Sequence, residues 1–585
     1  MSEIATKKES ATKPNLLTVL LEDYFQVGAF DRLIREQTWS RFEPRYVQNT
    51  LKTLDLLDKH NVKATFFVLG WIAENTPDLI REIAGRGHEI ASRGYNHCPL
   101  SRMSPAEFRA DARRTREVLE RASGQRVFGH RAAEKLNYTR DLWTLDVLAE
   151  EGFVYDASFL PTWKGIKNAL LRRAAHEHRA AGKTIWEIPY STARVGNYLL
   201  PISGGNYFRQ LPYTLMRRKV QNWIETEDAP FVLYFHVWEL DEEQPRINAA
   251  SRMTRVRHYR KLDKMAWILN ENLSRYRFTN CSEFLGLADV HRRDAETQRI
   301  RNNEKFEESN LVTLSLKNSA SLRLGGEKKE KVTIVIPCYN EEKSLPYLAN
   351  TLRSLENALD YDLSFIFVDD CSKDATFEKL KELFGARTNV RIIRHDENKG
   401  VAAGIMTGLR AAETEIVCSI DADCTYDPHE LTQMIPLLTE DAAMVTASPY
   451  HPAGGVRNVP AWRLSLSKGA SFLYKTVLRQ KLSTYTSCFR VYRRSRIENV
   501  ELQENGFLGV AEMLGKLVLR GERVVEHPAI LEVRLFGFSK MKTARTIAGH
   551  IKLLTKLGRM RLQNKKLNET EKIAVSPAKL ENKKI

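Results

Sequence analysis

Two hydrophobic rhythms alternate along most of this chain. Short apolar runs predict buried strands over residues 16–21, 64–68, 89–92 and 231–236, and again over 332–337, 365–368, 390–393 and 416–420. Between them, helices are predicted over 45–60, from Pro77 onward, over 105–123, and from Gly400 through Ala412. Strands and helices that alternate in this way predict α/β architecture with parallel sheets and right-handed crossovers. The rhythm breaks in a polar, charged stretch over 295–330, which reads as a linker holding at most a short strand at 311–316. Residues 1–14 are polar and read as disordered. The boundaries expected from the pattern are a first domain over 14–294, the linker, a second domain over 331–545, and a helix and tail over 546–585. In that last segment Ile547, Ile551, Leu554 and Leu557 recur at helical spacing, with Lys552, Lys556 and Arg559 between them.

The polar residues that punctuate this pattern stand where strands end. In the second domain, Asp369-Asp370 closes one apolar run and Asp421-Ala422-Asp423 closes another. Open α/β sheets bind nucleotides at the carboxyl ends of their strands. One acidic cluster there can grip a base or ribose. The other, read as extended chain with Asp421 and Asp423 on one side, can hold a divalent cation against a diphosphate. Each cluster alone reads equally well as turn or capping acids; two of them on one sheet favour a site. In the first domain Glu22-Asp23, residues 93–97, His130-Arg131 and His236 also follow strands, as catalytic groups do in barrels.

Charge changes the picture at one end only. The 585-residue chain carries a formal +17, yet residues 540–585 hold 13 Lys/Arg and 3 Asp/Glu, so most of the excess lies in the tail. A basic tail on near-neutral domains points to an anionic membrane surface. Nucleic acid is disfavoured, because the tail lacks the interleaved aromatics of a stacking platform. Seven cysteines without paired spacing fit a reducing compartment. With no signal-peptide pattern and no apolar run of about 20 residues, the expectation is a cytoplasmic protein, peripheral at the inner face of the membrane.

Residues 22–27, 87–97, 129–132, 155–158 and 235–240 resemble, in order, the motifs of the polysaccharide deacetylases of the NodB-homology type. Residues 336–341, 368–374, 398–400, 421–423, 487–492 and 534–540 resemble those of the family 2 glycosyltransferases, in particular the dolichyl-phosphate-mannose synthase-like branch. The resemblance implies a deacetylase-type (β/α) barrel followed by a GT-A, Rossmann-like domain. It implies that Asp369, Asp370 and Asp421 bind a nucleotide-sugar, and that Asp423 binds Mg or Mn, with Asp421 beside it. Arg534, Ser539 and Lys540 would face phosphates, and Arg490 and Arg493 would be further cations for a phosphate acceptor. Glu512 is a candidate general base if the acceptor is a sugar hydroxyl, which must lose a proton; a polyprenyl phosphate is already ionised and needs none.

The first domain departs from its family at two positions. Leu20 stands where the general-base aspartate is expected, and Arg93 where the first metal histidine is expected. A guanidinium has no lone pair to offer a metal. The remaining set is Glu22 or Asp23 with His97, so zinc is doubtful and deacetylation is expected to be weak or absent. Arg93 is expected to pair with the orphaned carboxylate, and Arg131 and His236 to remain as a sugar-binding pocket. The overall expectation is a glycosyltransferase with an appended, degenerate deacetylase domain, acting on a polyprenyl phosphate or a glycan. A bifunctional enzyme and a glycan- or lipid-binding scaffold are the rival readings.

Overall fold

The computed structural model describes residues 14–161, 172–196, 198–287, 329–459, 461–537 and 543–574. The expected disorder over 1–14 (all but its last residue) and the strand at 311–316 lie outside these residues, as does nearly all of the expected linker. The chain divides into two compact units, in the main residues 1–322 and 323–585.

The first unit is built on β1 (Asn15–Leu21), β2 (Thr65–Val68), β3 (Glu89–Ser92), β4 (Gly129–His130), β5 (Tyr155–Asp156), β6 (His176–Ala180) and β7 (Lys183–Glu187). A hairpin of β8 (Thr192–Val195) and β9 (Tyr198–Pro201) precedes β10 (Val232–His236) and β11 (Phe278–Thr279). The sheet runs in the order β10-β1-β2-β3-β4-β5-β7-β6, with β11 beside β1. Every neighbour is parallel except β6, which turns back on β7. No ladder joins its two edges among the described residues, so the expected barrel is a half-barrel. All seven residues of β1 are buried, as a strand covered on both faces requires. Helix Pro105–Ser123 starts where the sequence says it must. Ser104 Oγ accepts from the Glu107 amide at 3.3 Å, and Glu107 Oε2 accepts from the Ser104 amide at 2.7 Å, a capping box.

The second unit contains β12 (Lys331–Cys338), β13 (Asp362–Asp369), β14 (Val390–Arg394), β15 (Ile416–Ser419), β16 (Ala442–Ser448), β17 (Gly455–Arg457), β18 (Arg490–Arg493), β19 (Arg523–Pro528) and β20 (Ile530–Glu532). Its main sheet runs β14-β13-β12-β15-β18-β16-β19. The first four strands are parallel, as expected, and β18 enters antiparallel between β15 and β16. Successive strands leave β12 in opposite directions, which opens a crevice at their carboxyl ends. Strands β17 and β20 form a separate two-stranded ribbon. The expected C-terminal helix is present as Thr543–Ala574, and it packs Leu553, Leu554 and Leu557 into the core beside helices Ala461–Leu478 and Phe507–Leu519.

Candidate functional site

The crevice of the second unit gathers acids from three strand ends. Beyond β12, Asn340 takes a left-handed φ of 53° and Glu341 follows it, nearly buried. Beyond β15, Asp421 and Asp423 do not lie on extended chain. The Cys424 amide donates to Asp421 O at 3.1 Å, and Cys424 has a φ of 52°. The two carboxylates therefore converge through a turn rather than through strand alternation. Arg534 joins the two sides of the crevice: its Nε lies 2.6 Å from Asp423 Oδ2, and its Nη2 lies 2.9 Å from Glu341 Oε1. Burial pushes the Asp421 carboxyl up to about 7, helped by Asp423 beside it and opposed by Arg534. Burial also raises Glu341. A group of carboxylates short of positive charge fits a divalent cation. No set of three ligating side chains occurs among the described residues, but a magnesium-type ion needs only one or two carboxylates when a diphosphate supplies the rest.

The pair after β13 divides its work. Asp369 is fully buried; Arg394 Nε lies 3.2 Å from its Oδ2 at ion-pair distance, without an aligned hydrogen bond. Asp370 is held at every oxygen: His395 Nδ1 donates to Oδ1 at 2.7 Å, and the amides of Lys399 and Gly400 donate at 2.8 and 2.7 Å. Gly400 is required there. Its φ is 96°, and a side chain would meet the Asn505 carbonyl. Asp370 thus positions the 398–400 loop. Beside these acids, a cavity of about 290 Å³ is lined by Asn340, Glu341, Lys373 and Gly537, among others.

Three expected residues stand elsewhere. Arg490 is fully buried, donating to Val510 O at 2.9 Å and Tyr485 O at 3.0 Å, so it braces the fold instead of meeting phosphate. Arg493 pairs with Ile416 at the opposite end of β15. Glu512, also fully buried, accepts from the amides of Gln503 and Glu504, each at 2.9 Å, and pairs with Lys516 and Lys556 at 2.9 and 3.1 Å. Burial alone would raise its carboxyl; these partners hold it below the ordinary range. It is a poor proton acceptor, tied to a loop and to the C-terminal helix. Glu512→Gln is expected to cost about 3 kcal/mol of stability, as breaking a buried ion pair does, and to spare turnover per folded molecule. Denaturation and activity measured on one preparation check this; lost turnover at unchanged stability would restore the base role. Ser539 and Lys540 lie outside the described residues. Glu341 and His395 had no assigned role in the sequence reading, although Glu341 stands three residues beyond β12 and His395 directly follows β14.

The first unit has its own polar centre. Glu22 and Asp23 are adjacent in the chain and part completely. Asp23 accepts from the amides of Arg45 at 2.7 Å and Tyr46 at 3.0 Å, and so caps helix Tyr46–Lys59, whose own N-cap side chain makes no such bond. Glu22, 1% exposed, turns inward. Arg93 Nη2 lies 3.2 Å from Glu22 Oε2, His97 Nε2 lies 3.2 Å from the same oxygen, and His236 Nδ1 lies 2.6 Å from Oε1. Burial would raise the Glu22 carboxyl, but Arg93, His236 and His97 together hold it well below the usual range. Arg93 Nη2 also approaches His97 Nε2 at 3.2 Å. The guanidinium engages both remaining candidate ligands, and the set does not fit zinc. His88 is not in reserve: it is buried, its Nδ1 accepts from the Ala64 amide at 3.1 Å, and burial brings its pKa down to about 4. Arg131 is no pocket residue either. Only 1% exposed, it donates to Thr18 Oγ1 at 3.3 Å and lies 4.5 Å from the ring centres of both Tyr190 and Tyr234.

Comparison with known proteins finds a family match in each unit. The model for glycosyl transferase family 2 matches residues 333–500, the model for polysaccharide deacetylase matches 35–150, and a domain of unknown function, DUF3473, matches 157–286. The polyprenol monophosphomannose synthase of Mycolicibacterium smegmatis is 30% identical over 220 residues, 36% of this chain and 81% of that protein. The dolichol-phosphate mannosyltransferase of Pyrococcus furiosus is 29% identical over 231 residues, 39% of this chain and 63% of its own length, so this chain spans less than two thirds of it. A glucosyl-3-phosphoglycerate synthase from Mycobacterium tuberculosis, crystallised with Mn2+, uridine diphosphate and phosphoglyceric acid, aligns at 17% identity and a TM-score of 0.30 over 40% of this chain and 78% of that one; a likeness so slight carries no ligand across. The chain belongs to glycosyltransferase family 2, and a polysaccharide deacetylase domain precedes its transferase domain.

Proposed function

We propose that the second unit transfers a sugar from a nucleoside diphosphate to a polyprenyl phosphate. The observation that carries this is the Asp421, Asp423, Glu341 and Arg534 cluster across the crevice, with Asp369 at the neighbouring strand end. Asp369 holds the nucleoside, and Asp421 and Asp423 would hold Mg or Mn. Such an ion neutralises the leaving diphosphate. Arg534 bonds both Asp423 and Glu341, and it exchanges Asp423 for phosphate oxygens when donor enters. The lipid phosphate is favoured over a glycan hydroxyl because Glu512, the candidate base, is fully engaged. The relatives named for dolichol- and polyprenol-linked mannose support the same acceptor class. Residues 331–545 are taken as the transferase domain, 14–294 as the deacetylase-like domain and 295–330 as the linker. No helix among the described residues is long and apolar enough to cross a membrane; a cytoplasmic location with peripheral contact to anionic lipid is part of this reading.

The test is to supply labelled UDP-, GDP- or dTDP-sugars with Mn and a polyprenyl phosphate. The expected result is label in the organic phase, abolished by chelation. Label found only in free sugar or in a water-soluble glycan overturns the acceptor class.

The first unit is proposed as a non-catalytic glycan-recognition or structural partner. Purified full-length protein is expected to carry substoichiometric zinc and to release no acetate from N-acetylated glycans. Stoichiometric zinc, with acetate release lost in His97→Ala, would make the chain bifunctional instead.

A further inference from the structure

We infer that two short segments from the first half of the sequence, residues 40–43 and 246–249, are positioning elements of the transferase site: they hold the three stretches of chain that carry Glu341, Asp423 and Arg534. The inference rests on the reading of that cluster as the donor site. Both segments belong to the second unit, although the residues on either side of each belong to the first. The second unit is therefore not complete in the residues that follow the linker. Arg534 is the member of the cluster that most needs support. Strand β20 ends at Glu532, and past it the chain has no ladder partner among the described residues. A side chain that must span a crevice needs its own backbone fixed by packing and hydrogen bonds. Asn248 provides one anchor: its amide donates to the carbonyl of Leu535, the residue after Arg534, at 2.8 Å. Phe42 provides another. It is 2% exposed, and its ring centre lies 6.1 Å from that of Phe536 and 5.0 Å from that of Tyr347. The rings of Tyr347 and Phe536 lie 5.9 Å apart, so the three form one cluster, in which edge-to-face packing adds to the burial.

The same four residues reach the other two stretches. Tyr347 stands on helix Leu345–Ala358, and Ser344, the N-cap of that helix, donates from Oγ to Glu341 Oε2 at 3.1 Å. Asn350, three residues further on, donates from Nδ2 to the Arg41 carbonyl at 3.2 Å. Arg41 Nη2 lies 3.0 Å from Asp427 Oδ2, four residues past Asp423, with the Arg41 side chain only 11% exposed. Burial would raise the Asp427 carboxyl, but His429 and Arg41 hold it well below the ordinary range. Arg41 and Phe42 thus act on the site through Asp423, Glu341 and Arg534 rather than by meeting substrate. With the chain pinned at Leu535 and Phe536, the Arg534 guanidinium can exchange a carboxylate for a phosphate while its backbone stays at the crevice.

Hydrogen exchange of the full chain, read by mass spectrometry, tests the bracing, and calorimetry with Mn and UDP or GDP reads the site. Phe42→Ala is expected to raise exchange in peptides covering 341–350 and 531–537 and to weaken nucleoside diphosphate binding about 10-fold. Phe42→Leu, which keeps a bulky apolar side chain, should restore most of both. Arg41→Gln should raise exchange mainly over 421–430; it leaves the ring cluster intact and carries the test if Phe42→Ala does not fold. In an Arg534→Met background, Phe42→Ala should cost no further nucleotide affinity, because it acts through Arg534. Unchanged exchange in these peptides, a rise spread evenly over the second unit, or a full further loss of affinity in the Arg534→Met protein overturns the inference. Asp423→Asn is the control for the donor-site reading. If it binds nucleotide with Mn as the wild type does, that reading fails, while the exchange pattern still decides whether residues 40–43 brace these stretches.

Discussion

Asp423→Asn is expected to abolish transfer almost completely while the protein stays folded. The carboxylate holds two partners, Arg534 Nε at 2.6 Å and the Thr425 amide at 3.1 Å. An amide oxygen keeps the second contact and weakens the first, and Arg534 retains Glu341. The folded state thus loses part of one half-buried pair, about 1 kcal/mol. The reaction loses much more, because a ligand to the cation on a departing diphosphate acts where charge develops; about 4 kcal/mol there is roughly a thousandfold in rate. The same variant removes the charge that helps push Asp421 up to about 7. In the wild type, a proton on Asp421 competes with the cation. Mn affinity should therefore climb as pH rises through about 7, a dependence that is weaker in the variant. Transfer close to wild type in a folded Asp423→Asn protein would remove Asp423 from the metal site.

The second large effect falls on stability. Arg93→Met leaves the Glu22 carboxylate buried with only two imidazoles for company. Removing one member of a buried pair costs about 3–5 kcal/mol, because the other charge remains without water. The pH profile separates this from lost packing. In the wild type the folded Glu22 carboxyl lies well below its ordinary 4.5. A depressed folded pKa contributes stability above the unfolded value and loses it as pH falls toward the folded one. The wild type should therefore weaken below about pH 4.5. In Arg93→Met, burial, already the largest single influence, loses its main opponent and the carboxyl moves upward. The variant should be least stable at neutral pH and recover relative to the wild type as acid supplies the missing proton. Glu22→Gln added to Arg93→Met should restore most of the loss. Urea denaturation of the full chain between pH 4 and 8 reads all three proteins; a pH-independent penalty, or none, would show that Arg93 does not compensate Glu22.

Much of this protein is legible without coordinates. Among the described residues the predicted strands and helices recur with ends shifted by at most three residues, because apolar period, capping and strand length are local properties. The span 105–123 is bounded by Ser104 and Glu107 at one end and by Gly124, at a φ of 68°, at the other, all contiguous in the chain. That acids follow β13 and β15 is likewise local. Which acid does what is not. Glu22 and Asp23 are neighbours with the same chemistry, and nothing in their order separates them. The fold does, by bringing the bare amides of Arg45 and Tyr46 to one and Arg93 to the other. Asp421 and Asp423 meet through a turn because β15 ends at Ser419, before alternation could orient them. Arg490 and Arg534 look alike as cations near phosphate motifs; one is buried and held by the carbonyls of Tyr485 and Val510, the other spans the crevice. Burial and partnership across tens or hundreds of residues set the charge state and reach of each group, and those exist only once the chain has closed on itself.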